Sequence, residues 1–251
     1  MLDFFDLSLH LRPRPETETE ASAEELIKTA RRFGYAGVAV TNHNDYAEIG
    51  AGAGESSNFA YKGIEIRADS VAVLKRKIKI HYGRVAVLAV HGGDEKINEA
   101  ALQDYRVDIL AHPCGEFGRG KGKGRGKGKG RGEGKGGGLN HVLVRYAAEN
   151  GVALDFNMNA IIQSRGRGER ARVLRKMREN LKLVRKYDAL PVLTSHAETV
   201  YDLRAPREMV ALAGLFGMTR EEAVRALSEV PRGILEKRWK RWKKGREVEV
   251  L

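Results

Sequence analysis

The sequence predicts one α/β domain built as a barrel of parallel strands, and three observations lead there. Seven short apolar runs rich in valine and isoleucine alternate with segments of helical period along the 251 residues. Most of the runs lack a polar alternate face, as strands buried on both sides do in a parallel sheet. The length suits a one-domain α/β barrel, and nothing in the middle reads as a hinge between two cores. No Gly-x-Gly-x-x-Gly follows the first run and no phosphate-loop lysine is present, which favours a closed barrel over a nucleotide-binding open sheet.

The elements follow in order. The first strand is Phe4 to Leu9. Ser22-Ala23-Glu24-Glu25 then places a glutamate three residues after a serine, a capping box that predicts a helix through Arg32. Leu26, Ile27 and Ala30 form its inner face, and Gly34 lies just past its end. Strands are expected at Gly37 to Thr41, Gly63 to Ile66, Val85 to Val90 and Asp108 to Ala111, with a helix from Asn98 to Tyr105. A helix from Asn140 to Asn150, a strand from Val152 to Phe156, a long charged helix from Gly168 to Lys186 and a strand from Pro191 to Thr194 complete the alternation. Helices at Pro206 to Phe216 and Thr219 to Leu227 close the barrel domain, residues 1–230, and Thr219-Arg220-Glu221-Glu222 is a second capping box. Residues 231–251 form a basic C-terminal tail.

Charge narrows the function classes. The net charge of +12 is concentrated in three segments. Arg119 to Lys135 holds eight basic residues against Glu133, Arg232 to Arg246 holds eight against Glu236, and Gln163 to Lys186 holds ten against Glu169 and Glu179. The remainder is net acidic, so the basic charge is segregated as a partner with many phosphates would require. Cys114 is the only cysteine, which leaves no internal disulfide, and no apolar run reaches the roughly 18 residues that cross a bilayer. A soluble, cytoplasmic protein without a membrane role is expected.

Gly118 to Gly138 interrupts the pattern with glycine alternating with lysine or arginine. Without apolar side chains it cannot offset the entropy of ordering, so it is expected to be disordered in isolation. Two readings stand: an inert flexible insertion, or an electrostatic arm for nucleic acid at the rim where barrel functions are built.

The chemistry-bearing residues gather at strand ends. Asp6, His10, His43, Glu65, His91 and His112 sit at or near the ends of apolar runs, with His196 shortly after the last one. A hydrolytic metal site at a barrel mouth needs this kind of set, because ions must be held while positions stay open for water and substrate. Ser8, Asn42 and Asn44, which stand beside these histidines, are poor ligands.

Asp6-Leu7-Ser8-Leu9-His10, Thr41-Asn42-His43-Asn44, Gly63-Ile64-Glu65 and Ala111-His112-Pro113 resemble the successive motifs of the polymerase and histidinol phosphatase (PHP) superfamily. The resemblance implies a distorted (β/α)7, TIM-like barrel of the PHP type. Catalytic members of that superfamily carry Asp-x-His-x-His in the first motif and Thr-Asp-His-Asp in the second. Here a serine and two asparagines replace ligands, so Asp6, His10, His43, Glu65 and His112 are read as vestigial metal-site positions, with no catalytic residue and no metal held by the chain. Val90-His91-Gly92-Gly93-Asp94, Val107 to Pro113, Gly138 to Leu143 and Ala147 to Ala153 are similar to archaeal-type ribonuclease P protein component 3. That resemblance implies an RNA-binding subunit of the ribonucleoprotein that removes the 5′ leader of precursor tRNA. The implied partners are ribonuclease P RNA, precursor tRNA and a small partner protein, with Mg2+ on the RNA. The alternative reading is a metal-dependent phosphoesterase of the PHP type with a reduced metal site.

The expected RNA contacts are Arg165, Arg167, Arg170, Arg172, Arg175 and Lys176 at the entry of the long helix, where N–H groups and arginine forks both favour phosphate. Arg67, Arg106, His112 and Arg204 join them. In the tail, Trp239 and Trp242 among basic residues are suited either to base stacking or to anchoring the tail on the barrel.

Overall fold

The computed structural model describes residues 2–10, 19–43, 59–114, 138–164 and 166–236 of the chain. Asn44, Arg165, nearly all of the glycine-basic insertion, and Trp239 and Trp242 lie outside the described residues.

Seven strands run in sequence order, each parallel to the next: β1 (Phe4–Leu9), β2 (Tyr35–Val40), β3 (Ala60–Ile66), β4 (Val87–His91), β5 (Ile109–Ala111), β6 (Ala153–Asn157) and β7 (Pro191–Thr194). The segment after β7 returns to β1. Leu9 and Ala197 form a parallel bridge, His10 N donates to Ala197 O at 2.9 Å, and Ser195 N donates to the Asp6 carboxylate at 3.2 Å. The sheet is thereby closed into the TIM-like barrel that the strand alternation predicts.

One residue from each of six strands, Leu7, Ala39, Ala89, Ile109, Ala153 and Val192, joins a single interior cluster. Residues 229–236 are helical, and their Val230, Ile234 and Leu235 belong to the same cluster. They meet the strand starts, so this helix stops the N-terminal end of the barrel. β1 carries an irregularity between Asp6 and Leu9. Phe5 and Leu7 point inward, whereas Leu9 packs in an outer cluster. The shift turns Ser8 and His10 toward the mouth, the re-aiming that bulges perform beside functional sites.

Around the sheet lie α1 (Thr19–Arg32), α2 (Val71–His81), α3 (Glu95–Leu102), α4 (His141–Asn150), α5 (Asn159–Gln163), α6 (Arg167–Tyr187), α7 (Pro206–Gly214) and α8 (Arg220–Leu227). The Thr219 capping box forms as predicted: its hydroxyl accepts from Glu222 N, and the Glu222 carboxylate accepts from Thr219 N. Other starts differ. α1 begins at Thr19, ahead of the predicted serine cap. α3 is capped by Asp94, whose carboxylate accepts from Lys96 N and Ile97 N, so it begins and ends earlier than expected. α2 and α5 were not expected. In α2 the run Lys75-Arg76-Lys77-Ile78-Lys79-Ile80 obscures the period, yet Leu74 and Ile78 are buried and Ser70 caps the start.

Candidate functional site

The parallel register brings the strand ends to a common level and points alternate side chains into the mouth. Glu65 pairs with Ala89 across β3 and β4, and His91 pairs with Ala111 across β4 and β5. Five imidazoles and two carboxylates converge there: His10, His43, His91, His112 and His196 with Glu65 and Asp155.

Glu65 is the centre and is fully buried. His91 Nδ1 touches its Oε1. His43 Nε2 lies 3.4 Å from the same oxygen, and His10 Nε2 lies 3.1 Å from Oε2. His112 Nε2 and His196 Nδ1 stand 4.0 Å away. Burial alone would raise the Glu65 carboxyl, but the facing rings of His10, His43 and His91 outweigh it and hold the group well below the ordinary carboxylate range. Burial also pushes His112 and His196 down to about 3, aided by the rings of His196 and His10 respectively. Both imidazoles are therefore neutral, the form that binds metals.

Asp155 completes the arrangement. Its Oδ1 accepts from Thr194 Oγ1 at 2.6 Å, and its Oδ2 lies 2.8 Å from His196 Nε2. Burial raises this carboxyl to about 7, opposed chiefly by His112. An Nε2–H donated to Asp155 would leave the His196 Nδ1 lone pair toward the mouth. Ser8 is a connector: its hydroxyl lies 3.1 Å from His10 Nε2, 3.1 Å from Thr41 Oγ1 and 3.2 Å from His196 Nδ1.

Backbone geometry serves the same cluster. His112 and His196 have φ of 48° and 45°, a left-handed conformation that side chains rarely adopt. After His91, a Cβ on Gly92 would lie 2.5 Å from Asn98 Oδ1 and 2.9 Å from Ala111 O, so only glycine fits. Asn98 joins the two loops, accepting from Gly93 N and donating to Pro113 O.

The residues present fit a divalent cation. His10, Glu65 and His196 form one group of ligand atoms within 4.8 Å of one another, and His43, Glu65 and His91 form another. Glu65 Oε2 and His43 Nε2 are buried without a hydrogen bond, although a ring nitrogen stands close to that oxygen. Such a nitrogen and oxygen set suits zinc or manganese, and an ion there would supply Lewis-acid chemistry toward a phosphoryl oxygen.

The other sequence-predicted residues divide. Asp6 does not enter either group. It is buried, its carboxylate accepts from Ser8 N and Ser195 N, and burial raises it to about 6, so it secures the barrel seam. Arg167, Arg170, Arg172 and Arg175 are exposed on the first turns of α6, and Arg170 Nη2 donates to Ser164 O at 2.9 Å. Lys176 is half-buried, 3.5 Å from Glu179. Arg67 directly follows β3, and Arg204 lies on the loop after β7. Arg106 precedes β5 and is clamped by both oxygens of Asp104 at 2.8 and 2.7 Å, so it sits at the end of the barrel opposite the mouth. Both described flanks of the glycine-basic insertion abut α6. Asn180 Nδ2 donates to Cys114 Sγ, and a Cβ on Gly138 would lie 2.8 Å from Lys176 Nζ.

Sequence reasoning missed Asp155. Its signal was a lone carboxylate inside the apolar run Val152-Ala153-Leu154-Asp155-Phe156.

The family model for RNase P subunit p30 matches residues 3–124 and 130–243. A protein from Methanococcoides burtonii named Ribonuclease P protein component 3 is 40% identical over 235 residues, covering 94% of this chain and 88% of that one. A protein of the same name from Methanosarcina mazei is 37% identical over 237 residues, 94% of this chain and 90% of that one. Among solved structures, a chain in the cryo-EM structure of archaeal Ribonuclease P with mature tRNA superposes with a TM-score of 0.70 at 27% identity, covering 93% of this chain and 90% of that chain. A Xaa-Pro dipeptidase at 11% identity and a TM-score of 0.57, covering 94% of this chain and 75% of that one, shares the fold alone.

Proposed function

The chain belongs to the RNase P subunit p30 family, and from that premise we propose that it is the RNA-binding protein subunit of ribonuclease P. In this role it assists a catalytic RNA in removing the 5′ leader of precursor tRNA. The observation that carries the reading is the arginine face of α6 beside the barrel mouth. Arg167, Arg170, Arg172 and Arg175 are exposed, and arginine forks neutralise phosphates in bidentate fashion. The described flanks of the glycine-basic insertion, Cys114 and Gly138, lie against the same helix.

On this reading the Mg2+ ions of the reaction sit on the RNA, a small protein of the same particle is the partner, and the location is cytoplasmic. Among the described residues no helix is long and apolar enough to cross a membrane. Reconstitution tests the role: ribonuclease P RNA and the other subunits are assayed on precursor tRNA with and without this chain. Leader removal should rise when it is added. No change in leader removal would overturn the proposal.

The convergence of five imidazoles on Glu65 favours a second reading, metal-dependent hydrolysis of a phosphoester. Purified chain loaded with manganese or zinc would then cleave a phosphoester without RNA and lose that activity in His196→Ala.

A further inference from the structure

We propose that Tyr201 is a preformed stacking platform for one unpaired base of RNA; this rests on the RNA-binding role proposed above. Among the described residues it is the most exposed large apolar side chain, at 85%. An aromatic ring left in water on a mobile loop would need no explanation. Here, however, the loop is held on every side.

Leu203, two residues on, is buried against the outer face of β1 and β2 with Leu9, Tyr35 and Val38. The Asp202 carboxylate accepts from Glu198 N, Thr199 N and Thr199 Oγ1 through Oδ2, and from Gln163 Nε2 at 3.0 Å through Oδ1. Arg204 Nη1 donates to Tyr201 O at 2.8 Å and to Leu203 O at 2.6 Å, and Tyr35 Oη donates to Arg204 O at 2.9 Å. The backbone is therefore fixed while the ring faces solvent. A tyrosine so placed loses only two side-chain torsions on binding, which is what makes exposed aromatics efficient contact residues.

Chemistry identifies the occupant. The hydrogen bond from Gln163 joins this loop to the end of α5, and the next residue, Ser164, holds Arg170. The loop that carries Tyr201 is thus tied to the segment leading into the arginine-bearing start of α6, and it carries Arg204, with Arg207 following on α7. The nearby acid Asp202 is consumed by four donors, although Glu198 remains on the loop. An exposed aromatic ring on a loop tied to an arginine-rich segment matches single-stranded RNA, in which bases stack while phosphates are neutralised.

The test uses the full chain and an in vitro transcript of ribonuclease P RNA, with affinity measured over a range of salt. Tyr201→Ala should weaken binding about 5- to 150-fold, as expected for one stacked base, without changing the slope of affinity against salt. Tyr201→Phe should bind like the original chain, because the ring and not the hydroxyl acts. The ring is exposed, so the thermal midpoint should not move. Unchanged affinity in Tyr201→Ala overturns the proposal. Equal losses in the alanine and phenylalanine variants also overturn it, since they assign the contact to the hydroxyl. Normal RNA affinity with failed assembly onto another protein subunit overturns it in favour of a protein contact. If Tyr201→Ala is silent but a variant lacking Arg167, Arg170, Arg172 and Arg175 loses affinity, only this inference fails. If both are silent, the RNA-binding reading fails too.

Discussion

Asp155 Oδ2 lies 2.8 Å from His196 Nε2, deep in the barrel mouth, so a carboxylate from β6 fixes the ring that follows β7. Asp155→Ala would leave His196 Nε2 and Thr194 Oγ1 without that acceptor. A loss of about 1–3 kcal/mol in stability is expected, measurable by urea denaturation. The same change should weaken zinc binding about 10- to 100-fold in calorimetric titration, as loss of an orienting carboxylate does. Wild-type values for both would show that Asp155 does not orient the ring.

On the RNA-binding role proposed above, Arg167, Arg170, Arg172 and Arg175 supply positive charge to the RNA backbone. Removing Arg167, Arg170, Arg172 and Arg175 together should weaken binding to structured and unstructured RNA alike. The slope of log affinity against log salt should become shallower by about 0.7–0.9 for each phosphate that is no longer neutralised. A steep, unaltered slope would place the phosphate-binding groups elsewhere.

Ile234 plugs the barrel from the helical residues 229–236. Ile234→Ala removes a branched side chain from the interior cluster and should cost about 2–5 kcal/mol. Denaturation midpoints would report it, and a cost well under 1 kcal/mol would mean that the helix is not a structural stopper.

Arg185 binds both oxygens of Glu222 at 2.7 Å and also donates to Gly217 O. The Arg185 hydrogen bond lowers the Glu222 carboxyl from 4.5. A carboxyl depressed in the folded state stabilises fully above its unfolded value and loses that contribution as pH falls through the folded one. A double-mutant cycle on this partly exposed pair should give about 0.5 kcal/mol at pH 7 and close to zero at pH 2. An unchanged coupling at low pH would remove Glu222 ionisation as its source.

Much of the fold was legible in the sequence, because buried parallel strands must be short and apolar on both faces. All seven runs became strands, with ends shifted by a few residues. Helix starts were less legible: capping residues recur inside helices, and Ser22 lies within α1 and not ahead of it. The histidines could be named from sequence because each closes an apolar run or follows one.

The sequence by itself determined a parallel barrel, a strand-end set of histidines and a segregated basic charge, since each depends on local composition and period. Only the tertiary structure decided which groups meet. A register shift in β1 turns Ser8 and His10 inward, the β1 to β7 seam takes Asp6 out of the histidine cluster, and β6 brings Asp155 to His196 across 41 positions of chain. The same closure sends Arg106 to the far end and ties the loop of Tyr201 to the end of α5. Such pairings depend on strand register and curvature, which sequence separation does not encode.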